Sequence, residues 1–215
     1  MSLATLLLLA DGRFPAGGHA HSGGLEAAVA RSRVRDLDTL HAFLAGRLAT
    51  AGLVAAAFAA AARVQDDLAA LEGALDARTP SGAMRRAARQ QGRALCRAAL
   101  VIWPSDRVRA ASRCSHAIAL GVVAGAAGLG AAEAASIAAY SSISGPASAA
   151  VRLLGLDPYR VHALLAALAG AADATASRGL AYAGGPIDEL PAASAPLLDL
   201  SAEDHAAWEV RLFAS

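Results

Sequence analysis

The abundance of alanine and leucine is the feature that most restricts the fold of this chain. The 215 residues include 61 alanines, and alanine and leucine are both strong helix formers. Aromatic residues make up only 4% of the chain, and no stretch alternates between apolar and polar residues as a half-buried strand does. The length suits one domain. The sequence therefore predicts an all-α fold, a single-domain helical bundle of about 8–10 helices.

Turn formers and capping residues divide the chain into helices. The Asp-Gly pair at 11–12 is predicted to end a first short helix, and Ser22 to cap a second helix that runs to about Arg31. Asp36 or Asp38 is predicted to begin a long helix through the centre of the bundle. Later helices are predicted over 66–76, 81–102, 105–127, 131–154 (with Pro146 as a point of kinking) and 157–178.

The character of the sequence changes after residue 182. Glycines and prolines in 183–215 break any helix longer than a turn. The run 201–204 matches the start of a capped helix, with apolar residues at helical spacing beyond it. We therefore expect an all-helical domain over 1–182 and a loose tail over 183–215 that ends in a short helix and is ordered by a partner. A tail packed back on its own bundle is the alternative.

The charged residues exclude several classes of enzyme. All 19 basic residues are arginine, so the chain has no lysine for a P-loop or a Schiff base. We also find no nucleophile elbow and no Glu-x-x-His pair for a metal-binding bundle. The formal net charge is +1, which gives no electrostatic reason to expect nucleic acid. The sequence favours a protein without a reaction of its own.

Hydropathy and cysteine usage favour a soluble, cytoplasmic protein. The two longest uncharged runs, 114–132 and 134–151, are diluted by glycine, serine and alanine, so we expect no membrane span. The apolar run at 3–10 is too short for a secretory signal. Cys96 and Cys114 form no metal-binding or disulfide pattern and are predicted to be small core residues in a reducing compartment.

Two histidines close in sequence, His19 and His21, are the candidate metal ligands. Imidazoles two residues apart in a turn can share a nickel, copper or zinc ion, although two ligands alone do not make a tight site. One alternative function is therefore a helical nickel carrier that uses this pair, and histidines that only pack or face solvent are the other interpretation. Single histidines at 41, 116 and 162 are predicted to be structural or surface residues.

An arginine stripe on the predicted 81–102 helix is a candidate docking face. Arg85, Arg89 and Arg93 recur at helical spacing. Such a stripe is either a solvated face or a surface for an acidic partner, since arginine is enriched in interfaces. A helical ligand-binding regulatory domain is a further alternative, but no helix-turn-helix with a basic recognition helix stands near either end.

Motifs along the chain resemble the urease accessory protein F family. The N-terminal motif consists of Phe14, Pro15, Gly17, Gly18, Ser22, Gly24, Leu25 and Glu26. The polar segment 89–95, the helical stretches 116–130 and 140–153, and the close Arg211-Leu212-Phe213-Ala214-Ser215 are similar to the family as well. The order and spacing of these segments carry the resemblance, which covers most of the chain.

The resemblance implies a maturation chaperone for urease, a nickel enzyme. Members of this family are all-α and catalyse no reaction, form homodimers, and bind accessory protein D (also called H). The pair then recruits the GTPase accessory protein G for insertion of nickel into the urease apoprotein. Nickel and GTP would be handled by these partners, with no cofactor bound by this chain. The resemblance does not say whether the chain stimulates or restrains GTP hydrolysis.

The resemblance also directs attention to the two ends of the chain. We expect Trp208, Arg211, Leu212, Phe213 and Ser215 to bind a partner, because aromatic and arginine side chains supply most interface hot spots. The segment 14–26 is expected at a dimer or partner interface, where its glycines permit a sharp reversal of the chain.

Overall fold

The computed structural model describes residues 2–214 and is all-α, as predicted, with 72% of residues helical and no strand in that range. The α-helices are α1 Leu3–Ala10, α2 Leu25–Ala30, α3 Leu37–Arg47, α4 Leu53–Val64, α5 Leu68–Ala77, α6 Gly82–Ile102, α7 Asp106–Ala111, α8 His116–Ala126, α9 Ala131–Leu154, α10 Pro158–Ala167, α11 Ala169–Leu180 and α12 Pro196–Ala206. A π-helical turn, Leu48–Gly52, joins α3 to α4, and 3₁₀ turns cover Gly18–Ala20 and Ile187–Glu189.

The continuous helical path from α3 to α4 is the centre of the bundle. Asp36 begins it with a capping box, in which its carboxylate accepts from the Thr39 amide at 2.8 Å while the Thr39 hydroxyl accepts from the Asp36 amide at 3.1 Å. Helix α4 then packs against α8, α9 and α11, and 56–62 are completely buried. The predicted central helix is confirmed.

Alanine and glycine have small side chains or none, so the helix backbones in this core approach one another closely. A Cβ on Gly121 of α8 would lie 2.2 Å from the Ala59 carbonyl oxygen of α4. A Cβ on Gly179 of α11 would lie 2.8 Å from the Ala57 nitrogen. The composition that predicts helices therefore also determines how tightly they pack.

Two predicted helices are each divided in the structure. The predicted 105–127 helix breaks at 112–115, where the Ser115 amide and hydroxyl donate to the Glu72 carboxylate of α5 at 2.8 and 2.7 Å. The predicted 157–178 helix divides into α10 and α11 at Leu168, which is buried in the core. Helix α9 continues through Pro146 and ends at Gly155, with φ +62°.

Two predicted N-caps are wrong. The N-cap residue of α2 is Gly24 and not Ser22, although the Ser22 hydroxyl accepts from the Glu26 amide in the first turn of the helix at 3.2 Å. Helix α12 begins at Pro196, so Ser201 lies inside the helix. Its buried hydroxyl accepts from Arg33 at 3.3 Å, which is a tertiary contact and not a cap.

The C-terminal segment 183–214 lies against the bundle, which is the alternative that the sequence left open beside a loose tail. Arg78 donates to the carbonyl oxygens of Asp188 and Leu190 at 2.9 and 2.8 Å, and Gln65 donates to that of Ala183 at 2.8 Å. Helix α12 packs on α6 and α2. The idea that a partner orders this segment stays a prediction.

Among the described residues, 2–214, one helical stretch, Leu37–Val64, is long and apolar enough to cross a membrane by length and composition alone. Half of its most apolar 18-residue window is buried inside the bundle, where the helix contributes to the core. This stretch lies outside the two long uncharged runs at 114–132 and 134–151.

Candidate functional site where the two chain ends meet

The N-terminal motif forms a folded turn between α1 and α2. Phe14 is buried and stacks on Trp103, with ring centroids 6.4 Å apart. Gly17 and Gly24 have φ of +75° and +89°, in the left-handed region that favours glycine. These reversals place Glu26, in the first turn of α2, in the interior of the protein.

The Glu26 carboxylate holds the C-terminal end of the chain. Its Oε1 accepts from the Leu212 amide at 2.8 Å, and its Oε2 accepts from the Phe213 amide at 3.0 Å and from His205 Nε2 at 2.8 Å. Because an ionised carboxylate only accepts hydrogen bonds, Nε2 of His205 is the donor. Three donors thus satisfy one buried carboxylate, which is the condition for burying such a charge.

Arg152 of α9 completes this contact from the other side. Its guanidinium carbon lies 4.4 Å from the Phe213 ring centroid, a cation–π contact, and its Nη2 donates to the His19 carbonyl oxygen at 3.0 Å. The Ala214 amide donates to the Ala20 carbonyl oxygen at 2.7 Å. We call this contact between 14–26 and 205–214 the terminal junction.

Helix α12 is anchored beside the terminal junction by polar contacts along its length. Arg31 forms an ion pair with Asp204. The Glu203 carboxylate accepts from the Ser81 hydroxyl at 2.7 Å and the Ala83 amide at 2.8 Å, at the start of α6. The Ala83 and Ser81 hydrogen bonds hold the pKa of Glu203 below its ordinary value.

In the terminal junction, exposed side chains lie next to buried ones along the C-terminal segment. Phe213 is buried, whereas Leu212 is 75% exposed and Arg211 is also exposed. Trp208 is half-buried against His205, with ring centroids 4.8 Å apart. The structure thus brings two predicted motifs together at one place. Ser215, also predicted to bind a partner, lies outside the described residues.

The arginine stripe is not one free face in the structure. Arg85 donates to the carbonyl oxygens of Thr79 and Pro80 at 2.6 and 3.0 Å. Arg89 forms ion pairs with Glu72 and Asp76 of α5. Arg93 remains exposed. Two of the three predicted docking residues therefore hold α6 to its neighbours, and their role toward a partner stays a prediction.

The two candidate metal ligands differ in environment. His19 is exposed and His21 is buried, and burial followed by the charge of His19 lowers the pKa of His21. Burial, followed by the charge of His21, lowers the pKa of His116 to about 4. Within residues 2–214, no group of three or more His, Cys, Asp or Glu side chains could hold a metal ion. Cys96 and Cys114 are buried, as predicted.

The His116 environment predicts a specific acid sensitivity. Its folded pKa of about 4 lies below the ordinary 6.5, so the folded state binds fewer protons than the unfolded state between these values. Stability is therefore lost as pH falls from 6.5 toward 4, by up to about 3 kcal/mol from this group. Urea unfolding at pH 7 and pH 4.5 should show a smaller loss for His116→Gln than for the original chain. His41→Gln, at an exposed position, is the control. If it reduces the acid-induced loss of stability as much as His116→Gln does, the assignment of that loss to His116 is contradicted.

Several residues of the terminal junction have no motif that would have identified them. Arg152 is an ordinary basic residue at the end of a long helix, and His205 lies singly in an acidic segment. Glu26 itself belongs to the N-terminal motif recognised in the sequence, but its burial, and with it the need for donors from elsewhere in the chain, is visible only in the structure.

The bundle and the terminal junction define an all-α protein whose two chain ends build one partly exposed surface. A family model described as UreF matches residues 34–169, the region between those ends. The chain therefore belongs to the UreF family of urease accessory proteins, factors that assist urease rather than the urease enzyme. Membership gives it a role in urease maturation.

Curated relatives extend the similarity over both chain ends. The urease accessory protein UreF of Mycobacterium sp. (strain JLS) is 46% identical, over 100% of this chain and 99% of the relative. That of Mycolicibacterium vanbaalenii is 44% identical over the same shares. The protein of that name from Mycobacterium tuberculosis (strain H37Rv) is 41% identical over 95% of this chain and 94% of its own length.

Proposed function

We propose that this chain is a non-enzymatic adaptor in urease maturation. Together with accessory protein D (H) it recruits the GTPase accessory protein G to the urease apoprotein for GTP-dependent insertion of nickel. The single observation that supports this function most is the terminal junction, where buried Glu26 holds an exposed C-terminal segment in a fixed position. Such preorganisation lowers the entropy cost of binding a partner.

The chemistry of the chain fits the adaptor role. A chain without lysine lacks the P-loop residue that contacts the terminal phosphates of a nucleotide. We assign GTP and nickel to the partners, place the protein in the cytoplasm with them, and infer that its contact with protein G modulates GTP hydrolysis.

The exposed end of the junction is the surface that we assign to protein D, with Arg211 presented toward protein G. Leu212 offers apolar area without a covering residue, since it is 75% exposed while the next residue, Phe213, is buried. Arg211 directly precedes Leu212, Trp208 lies four residues before it, and both are of the residue types that dominate interface hot spots.

Replacing Leu212 by aspartate tests this surface without disturbing the anchor. The Leu212 backbone amide still donates to Glu26, so the fold should persist while an apolar contact is replaced by a charge. We expect co-purification with protein D to weaken at least tenfold, about 1.4 kcal/mol or more. Glu209→Ala, at an exposed neighbouring position, is the matched control. Unchanged recovery of protein D with Leu212→Asp would refute this assignment.

We further propose that α1 supplies a homodimer contact. Leu3, Leu7 and Leu8 are 64%, 59% and 46% exposed, and the first two lie four residues apart on the same helix face. A short helix with exposed leucines gains by burying them against a second copy.

Leu7→Asp should therefore convert the dimer to a monomer in light scattering, since two introduced carboxylates would meet across a symmetric contact. Arg13→Ala, an exposed site in the following turn, is the control and should leave the mass unchanged. A dimer that persists in Leu7→Asp would place the dimer contact elsewhere.

A further inference from the structure

Two cavities meet at the side chain of Arg47. One, of about 240 Å³, lies beneath α12 and extends to Asp76 and His205. The other, of about 870 Å³, lies behind the N-terminal turn. Both are lined by Arg47, Gln91 and His116. The Arg47 guanidinium, at the end of α3, therefore lies where the two cavities adjoin.

Arg47 makes two hydrogen bonds, and both of its acceptors are uncharged backbone carbonyl oxygens. Its Nε donates to the Ser142 carbonyl oxygen at 2.8 Å, and its Nη1 donates to the Gly23 carbonyl oxygen at 2.7 Å. A guanidinium has five N–H donors, so three find no acceptor among residues 2–214. Arg47 also forms no ion pair with a carboxylate in that range. Arg47 is half-buried, and a guanidinium that lines a cavity without a carboxylate beside it favours an anion there.

The fixed position of the guanidinium is built into the turn. A Cβ at Gly23 would lie 3.0 Å from both Cζ and Nη2 of Arg47 and 3.0 Å from Cγ of Pro146. The backbone of Gly23 also has φ +63°, which favours glycine. Glycine at this position therefore leaves room for the guanidinium beside the turn.

The electrostatics of the smaller cavity also favour an anion. Three arginines line it, and Arg78 and Arg85 likewise donate to backbone carbonyl oxygens rather than to carboxylates. Of its two carboxylates, Asp199 accepts from the Ser81 amide at 3.2 Å, and Asp76 pairs with Arg89 through Oδ2 while its Oδ1 is buried without a hydrogen-bond partner among residues 2–214. Burial lowers the pKa of Arg47 to about 10, which leaves it protonated at neutral pH.

We propose that Arg47 is the centre of a binding site for a small oxyanion of the carboxylate type, such as formate or bicarbonate. The planar guanidinium offers parallel N–H donors to two oxygens of one planar ligand. Gln91 supplies an amide on the same wall. His116 makes no hydrogen bond within residues 2–214, so its ring is a second available partner. The proposed ligand is a free anion because Arg47 lines cavities that this chain forms by itself.

Thermal unfolding of the full-length chain in sodium formate or sodium bicarbonate, against sodium chloride at equal ionic strength, tests this site. Binding only to the folded state should raise the midpoint in a saturable way, and ten times the dissociation constant raises the folding equilibrium constant about elevenfold. Isothermal titration calorimetry with formate should give one site per chain.

Arg47→Met should abolish the saturable shift, while Arg35→Met, on an exposed position before α3, should keep it. Ala51→Leu supplies a test that leaves the charge in place, because Ala51 lines both cavities and a larger side chain there fills the anion's space. Its matched control is Ala49→Leu, exposed in the same π-helical turn.

Loss of the shift in Ala51→Leu with retention in Ala49→Leu supports the site even where Arg47→Met fails to fold. An equal response of all four variants would mean a general salt effect on the protein surface and would overturn the proposal. No saturable response of the original chain would overturn it as well, including the case in which a partner's carboxylate fills the space. None of these outcomes depends on accessory proteins D and G, so failure here is separate from failure of the adaptor function.

Discussion

Glu26→Ala is expected to detach the C-terminal segment while leaving the helical bundle folded. The substitution removes the acceptor for the Leu212 and Phe213 amides and for His205. Leaving three donors buried without a partner costs about 1–3 kcal/mol each. Exposing Phe213 costs only about 1.5–3 kcal/mol. Release of the segment is therefore the cheaper response, and the measured loss of stability should be about 2–3 kcal/mol.

Hydrogen exchange followed at individual amides distinguishes release from a uniform loss of stability. The amides of Leu212, Phe213 and Ala214 should lose protection in Glu26→Ala, whereas amides of α4 should change only by the global amount. Glu209→Ala is the control for removal of one acidic residue from the surface. Retained protection at Leu212 and Phe213 would show that the carboxylate does not hold the segment.

Gly121→Ala should destabilise the whole bundle. The added Cβ would lie 2.2 Å from the Ala59 carbonyl oxygen and 3.0 Å from the Ala62 Cβ, so α8 must move away from α4. Overpacking of this kind costs typically 1–3 kcal/mol. Because the neighbour is helix backbone in a completely buried stretch, we expect about 3 kcal/mol, the upper end.

Replacing glycine by alanine where there is room for the added Cβ should instead stabilise the protein. Gly73 lies within α5, is exposed and has nothing within 4 Å of its added Cβ, so Gly73→Ala should stabilise by about 0.5–1 kcal/mol through helix propensity. Urea unfolding of the two variants measures both values. Equal effects at the two positions would mean that close packing of α8 on α4 does not determine stability.

The fold was predictable where local signals determine it. The alanine-rich composition gives the all-α class, and Asp36 and Ser81 cap helices as their positions indicate. The break at 112–115 was not predictable, because it depends on Glu72, about forty residues earlier in the chain. The start of α12 was missed for the same reason, since Ser201 and Glu203 are occupied by tertiary contacts and not by capping.

The terminal junction was only half predictable. Motifs at 14–26 and 208–215 could be recognised in the sequence, but nothing in it shows that they touch. The contact joins Glu26 to backbone amides 186 and 187 residues away, and a backbone donor carries no side-chain pattern. The loose-tail expectation arose from glycines and prolines, which prevent long helices but do not prevent an irregular segment from packing.

Light scattering of the chain mixed with accessory proteins D and G, with GTP and nickel present, tests the adaptor function most directly. We predict one stable assembly containing all three proteins, and its loss when 211–215 is deleted. Glu209→Ala, at an exposed position close to the deleted residues, is the control that leaves the segment in place. A chain that lacks 211–215 and still assembles with D and G would contradict the central claim that the terminal junction recruits these partners.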